Sequence, residues 1–363
     1  MRILLTGNYT EMFVDDYCFN TKHSLIHENC YTRLHELKKS FEKLNVKLVS
    51  SAYLNDKDFF DAIIVYDHPT NKILSDKIIN SKKPTYLIAE EAPFILPENY
   101  DLKTTKNYKY IFSWYEDYID DKKIFHHFSL FPDTNKAIEN IRSDVPVEKK
   151  HGKVLVASLR KINHKNSFYS YRKKLATWYA KNDSLDFSLY GRYWSRYYFS
   201  GQNILIRLLN SRYLDFIFNN NKYDKIYKGL LKSKYNELNI YCFQFCIENA
   251  LNYKGYITEK IFDSIVCRNI PVYYPSAKGK ILELIPKDIY IDASKFNNFE
   301  DLNNYLNNLT FDEIDSFLKK AEYFINNLPI EFSPSYASDK LAKKIYNDLI
   351  NNGCIKDDKS CIY

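Results

Sequence analysis

The stretch that decides the fold is Glu248-Asn249-Ala250-Leu251-Asn252-Tyr253-Lys254-Gly255-Tyr256-Ile257-Thr258-Glu259-Lys260-Ile261-Phe262-Asp263, where an apolar run ends, a turn follows and a helix begins. Residues 240–247 have the apolar composition of a buried strand. Gly255 can supply an unusual backbone angle, and Thr258 is the expected N-cap of a helix that buries Ile261, Phe262 and Ile265. Such a strand, turn and helix aim free N–H groups and the positive end of the helix dipole at whatever occupies the turn. Lys260, in the first helical turn, opposes that dipole, and an anion between its ammonium and the amides accounts for it. The alternative is an ordinary capped helix with a solvated Glu-Lys pair, since strand-turn-helix units with a glycine are common.

Working outward, apolar runs and amphipathic stretches alternate along the whole chain. Strands are expected at 2–6, 46–50, 62–66, 85–89 and 109–114, with helices around 31–44 and 71–80. A charged stretch from Asp133 to Lys153 reads as a linker. A second alternating series follows, with strands at 153–158, 185–190, 240–247 and 270–274, and helices around 167–181, from 258, around 302–309, at 311–327 and at 336–351. This order predicts an α/β chain with parallel sheets covered on both faces. The domain reading is 1–150, 151–335 and a closing helix and polar tail at 336–363. Open sheets of this kind meet ligands at the carboxyl ends of their strands.

The 363 residues suffice for two domains, each with its own core. A hydrophobic share of 45% and a charged share of 27% belong to a folded chain and exclude a disordered one. The formal charge of +7 suits an anionic partner such as a nucleotide or an anionic membrane face. Seven cysteines lack paired zinc spacing, so reduced thiols are expected. His23, His27, His68, His126 and His127 form no metal-ligand pattern, and no metal is expected in catalysis. The start of the chain turns polar too soon for a signal peptide, and no apolar run reaches the ~18 residues of a membrane span, so a cytoplasmic location is expected. Residues 192–222 interleave Ile204, Leu205, Leu208, Leu209, Phe216 and Phe218 with Arg196, Arg207 and Arg212. Such a basic amphipathic segment either makes peripheral contact with an anionic membrane or packs as a helical hairpin on its own domain.

Taken in order, Tyr227-Lys228-Gly229, Lys234, Tyr241-Cys242-Phe243-Gln244-Phe245-Cys246-Ile247-Glu248-Asn249, Gly255 through Asp263, Ile270-Pro271-Val272-Tyr273-Tyr274 and Tyr290-Ile291-Asp292 resemble the α-1,3-fucosyltransferases of glycosyltransferase family 10. The likeness covers about residues 225–310 and extends more loosely back to Val154. It implies a GT-B architecture, two Rossmann-like domains facing across a cleft, with the nucleotide sugar held mostly by the C-terminal domain. It further implies that Asn249, Tyr256, Glu259 and Lys260 hold guanosine diphosphate, with Glu259 at ribose hydroxyls and Lys260 at phosphate. Where the family places an arginine against the pyrophosphate, this chain offers Lys165 or Arg172, and a lysine neutralises charge without the bidentate fork of guanidinium. One departure concerns the donor sugar: after Tyr274 the family commonly has Gly and a small residue, and here Pro275-Ser276-Ala277-Lys278 follow.

Inverting transfer of a sugar needs a base on the acceptor hydroxyl and charge neutralisation at the departing diphosphate. It is half of the inverting glycosidase arrangement, in which one carboxylate activates the nucleophile. Tyr86-Leu87-Ile88-Ala89-Glu90-Glu91-Ala92-Pro93 places two acids at a strand end, and the family's base is a Glu at such a position. Glu91 is the expected base, with Glu90 as the alternative. The expected activity is transfer of L-fucose from a GDP-fucose donor to an oligosaccharide or lipid-linked saccharide acceptor, in making a bacterial surface polysaccharide. The rivals are another nucleotide-activated sugar on the same machinery, an inactive nucleotide-binding scaffold, and a basic nucleic-acid-binding protein. No nucleic-acid-binding signature supports the last, and nucleic acid is not an expected partner.

Overall fold

The computed structural model describes residues 1–21, 31–54, 59–128, 134–142, 145–159, 164–183, 185–195, 204–209, 221–275 and 278–351. The chain forms two compact units. The first comprises Met1–Phe131, Tyr253–Tyr256 and Pro329–Tyr363, and the second Pro132–Asn252 and Ile257–Leu328.

In the first unit six strands form one sheet: β1 (Arg2–Gly7), β2 (Lys47–Ser50), β3 (Ala62–Tyr66), β4 (Thr85–Ala89), β5 (Tyr110–Ser113) and β6 (Ile124–His126). Their spatial order is β2-β1-β3-β4-β5-β6, and every pairing is parallel. Side chains alternate across a strand, so β3 feeds two cores. Ala62, Ile64 and Tyr66 join the cluster built with Leu34, Leu37 and Phe41 of the helix Thr32–Glu42. Ile63 and Val65 join the opposite cluster, with Leu74 and Ile78 of the helix Lys72–Asn80. Burial on both faces is why these strands read as unbroken apolar runs. The helix Pro334–Asn351 also belongs here, through Leu341, Ala342, Ile345 and Leu349. The sequence sets a boundary at 150 and treats 336–363 as a separate closing element; in the structure the chain after Pro329 rejoins the first unit.

The second unit holds β7 (His151–Val156), β8 (Phe187–Tyr190), β9 (Tyr227–Gly229), β10 (Tyr241–Ile247), β11 (Ile270–Tyr274) and β12 (Ile291–Asp292). All pair in parallel, in the order β12-β11-β10-β7-β8-β9. Counted within the unit this is the Rossmann order, in which the first and fourth strands, β7 and β10, lie side by side. Chain direction across the sheet reverses between them, and the crevice outside their carboxyl ends is where such sheets bind ligands.

The described residues of the stretch expected to be a linker are structured. They hold the helix Thr134–Arg142 and the start of β7, and the Asn140 amide donates to the Val266 carbonyl at 2.6 Å. Three of the charges that suggested a linker, Lys136, Glu139 and Arg142, belong to a helix that buries Ala137 and Asn140. Of residues 192–222, the described part includes one short helix, Ile204–Leu209; Arg196, Arg212, Phe216 and Phe218 lie outside the described residues, as do His23, His27, Ser276, Ala277 and the tail from 352. Cys18, Cys242, Cys246 and Cys267 are buried free thiols. Among the described residues no helix is long and apolar enough to cross a membrane.

Candidate functional site

In the second unit, β10 is buried along its whole length and is followed directly by Glu248, whose carboxyl group is fully buried. Glu248 Oε1 accepts from the Thr258 amide at 2.9 Å, and Oε2 accepts from the Thr258 hydroxyl at 2.6 Å. Thr258 stands at the N-cap position of the helix Glu259–Val266, yet its side chain makes no capping hydrogen bond. The expected cap is thus corrected: the hydroxyl is drawn to the buried carboxylate. Lys260 Nζ donates to Thr258 Oγ1 at 2.7 Å and to Glu259 Oε1 at 3.2 Å, and lies 3.5 Å from Glu248 Oε2. Burial pulls the Lys260 ammonium down, but Glu259 and Glu248 outweigh burial and hold its pKa above the ordinary value. The same helix carries buried Asp263, ion-paired with Lys234. Burial acts against the Lys234 charge, and Asp263 with Glu259 raises it regardless.

Beside β10, the segment after β7 is stitched to the strand end. Ser167 and Ala250 form an antiparallel bridge, the Phe168 amide donates to Asn249 O at 3.0 Å, and the Leu251 amide to Asn166 O at 2.8 Å. Arg172, in the first turns of the helix Tyr169–Asn182, is buried over the Tyr169 ring. Its guanidinium donates to the Ile247 carbonyl at 3.2 and 2.6 Å and to Asn249 Oδ1 at 2.7 Å. Lys165 is exposed on the preceding turn. Arg172, Asn249, Glu259 and Lys260 therefore gather around the carboxyl ends of β7 and β10, with Lys165 on the adjoining turn.

Tyr256 is placed differently. Its ring stands 4.8 Å from that of Trp114, tilted by 60°, and Tyr253–Tyr256 group with the first unit. Gly255 takes φ +82°, the left-handed value its position suggested, and the Glu116 amide donates to Lys254 O at 3.1 Å.

In the first unit the two candidate acids follow β4. Glu90 pairs with Arg33 at 3.7 Å, and its carbonyl accepts from the Trp114 indole at 2.7 Å. Glu91 accepts the Tyr9 hydroxyl on Oε1, and its carbonyl accepts from Tyr100 Oη at 3.0 Å. Both backbone amides donate to one oxygen, Asp67 Oδ1, at 2.8 and 3.1 Å. Asp67 directly follows β3 and is fully buried. Burial, followed by the nearby Glu91 charge, pushes its acid up to about 7.

Sequence reasoning missed Glu248, Asp67 and Tyr9. The first two share a legible signal, an acid placed directly after a mostly apolar strand run, which burial makes costly unless it is hydrogen-bonded. Tyr9 carries no signal among so many tyrosines.

Residues 216–324 match the family model described as the C-terminal region of glycosyltransferase family 10 (fucosyltransferase). Through this segment the chain is similar to that family. The matched segment contains Glu248, Asn249, Thr258, Glu259 and Lys260 of the strand-end network just described. A curated relative, the α-(1,3)-fucosyltransferase FucT of Helicobacter pylori, is 34% identical over 76 residues, which are 21% of this chain and 15% of that protein. The aligned part is thus a small share of the relative. Similar solved structures include an α1,3-fucosyltransferase, at 15% identity, covering 94% of this chain and 89% of that one with a TM-score of 0.51. Another is the DNA-modifying β-glucosyltransferase, at 13% identity, covering 95% and 100% with a TM-score of 0.54. At such identities the likeness concerns the fold, the pair of Rossmann-like units of GT-B glycosyltransferases.

Proposed function

We propose that the protein is an inverting glycosyltransferase that moves L-fucose from GDP-fucose to a saccharide hydroxyl. The observation that carries this reading is the gathering of Arg172, Asn249, Glu259 and Lys260 at the β7–β10 strand ends, the last three in a segment that matches the family 10 model. Lys260, with Arg172 or Lys165, would neutralise the charge that builds on the departing diphosphate, and the helix Glu259–Val266 presents its positive end there. Glu259 would accept from ribose hydroxyls, and Asn249 and Tyr256 would position the nucleotide.

Glu91 would take the proton of the acceptor hydroxyl as it attacks. Of the two acids, Glu90 is committed to the Arg33 cation, whereas a single neutral hydroxyl, that of Tyr9, steers the Glu91 carboxylate. The acceptor would be an oligosaccharide or lipid-linked saccharide of a bacterial surface polysaccharide, the reaction would proceed without metal, and the enzyme would work in the cytoplasm. The departure at residues 275–278 favours one second reading, a different nucleotide-activated sugar on the same machinery.

A panel of nucleotides and nucleotide sugars tests both. GDP and GDP-fucose should raise the melting temperature and GDP-fucose should support transfer; stabilisation by uridine nucleotides alone would overturn the guanosine assignment. Glu91→Gln should abolish transfer while leaving GDP protection intact, and retained turnover would remove Glu91 from the role of base.

A further inference from the structure

At the carboxyl end of β3, Asp67 occupies a junction rather than a surface. Its amide donates to Ile88 O at 2.9 Å, its carbonyl accepts from the Asn8 amide at 3.0 Å, and its side chain reaches the turn after β4. Three strand ends, those of β1, β3 and β4, are tied through this one residue. The side chain is reached only with the backbone at φ +56°, a left-handed value uncommon outside glycine. Oδ1 receives three donors, the amides of Glu90 (2.8 Å) and Glu91 (3.1 Å) and the Asn99 side chain (2.6 Å). Asn99 is itself fixed, accepting from the His68 amide at 2.8 Å.

We propose that Asp67 is the positioning residue of the Glu90–Glu91 turn, its carboxylate clamping both amides so that the Glu91 side chain is delivered to one place. The inference rests on the reading of Glu91 as base. A purely structural clamp would be better served by asparagine, which offers the same acceptor oxygen without burying a charge. Facing the carboxyl group are Glu90 and Glu91 from the turn, Tyr66 from β3, and Tyr100 and Tyr108 from the segment between β4 and β5. Arg33, on the helix Thr32–Glu42, stands with its guanidinium 5.0 Å from the centre of the Tyr66 ring. Desolvation and the Glu91 charge bring the Asp67 ionisation to about 7, inside the working range of an enzyme. Ionised, Asp67 is a strong acceptor for the two amides; protonated, it is a weak one. The turn therefore tightens as pH rises through neutrality.

The test compares wild type, Asp67→Asn, Asp67→Ala and Glu91→Gln in the full chain, with the donor that the nucleotide panel selects. Rates are followed from pH 5.5 to 9 and GDP protection is measured in parallel. The wild-type kcat should rise through pH 7, and Asp67→Asn should lose that rise while running about tenfold slower at pH 8. Asp67→Ala should fall about a hundredfold in kcat, a loss in line with misplacing a catalytic group by an ångström, with donor KM and GDP protection unchanged. A wild-type pH profile and kcat in Asp67→Asn would overturn the proposal even if Asp67→Ala fails to fold. Retained turnover in Glu91→Gln would instead remove the reading on which it rests, so the two failures are distinguishable.

Discussion

Replacing Glu248 by glutamine probes the strand-end network at its buried centre. The Glu248 carboxylate accepts two hydrogen bonds from Thr258 and faces the Lys260 ammonium, and its residue has no exposed surface. A glutamine keeps one carbonyl oxygen for the Thr258 amide. Its NH2 group then meets a hydroxyl that already accepts from Lys260, so the Thr258 proton loses its acceptor. The Thr258 hydroxyl is partly buried, and leaving it unsatisfied costs about 1–3 kcal/mol. Stripping a buried cation of its partner costs about 3–5 kcal/mol, reduced here because Lys260 is only partly buried and retains Glu259. A net loss of roughly 2–4 kcal/mol follows, which for a unit of this size lowers the melting temperature by roughly 5–15 °C. The assay is thermal unfolding with and without GDP. If the diphosphate sits beside Lys260 as proposed, it would restore negative charge there, so the GDP-induced shift should be larger in Glu248→Gln than in wild type. A variant that melts within about 1 °C of wild type, or whose GDP shift is smaller, would refute this account of the network.

Three further outcomes are expected. Lys165→Ala should leave thermal stability unchanged and raise the donor KM if that lysine meets phosphate, whereas Arg172→Ala should lower stability as well, since it strips donors from Ile247 O and Asn249; isothermal titration with GDP and a melt separate the two. Gly255→Ala should destabilise the first unit by about 2 kcal/mol in urea unfolding, because φ is +82° and the new Cβ would lie 2.7 Å from the Trp114 carbonyl oxygen. Asp67 has a folded pKa raised from 3.8 to about 7, so the folded state holds its proton more tightly. That contribution is full below about pH 4, is lost as pH rises to 7 and is flat beyond, and the stability of Asp67→Asn relative to wild type should climb across this window by at most ~4 kcal/mol.

Much of the fold was legible because buried parallel strands are continuous apolar runs. The strands at 62–66, 85–89 and 270–274 coincide with β3, β4 and β11 to the residue. β6, β9 and β12 went unseen because two or three residues carry no period and each lies at or beside a sheet edge. The helix Thr134–Arg142 was hidden by its own solvent face. At the site, Glu259, Lys260 and the left-handed Gly255 could be placed from local spacing. The choice made by Thr258 could not, because it depends on Glu248, ten residues back and buried. Tyr256 shows the same limit: its surroundings come from Trp114, a partner far away in the chain.

The discontinuity of the first unit carries a consequence for synthesis on the ribosome. Leu341, Ala342, Ile345 and Leu349 complete a core whose sheet strands are all made before residue 127. Every residue of the second unit emerges before them, so the second unit is complete while the first still lacks a covering helix. The half of the chain translated first is therefore the half finished last, and its nascent sheet must wait with one apolar face only partly covered, by the helix Thr32–Glu42, while about 200 further residues are added. A stop codon near residue 330 would then spare the second unit and strike the one that carries Glu91.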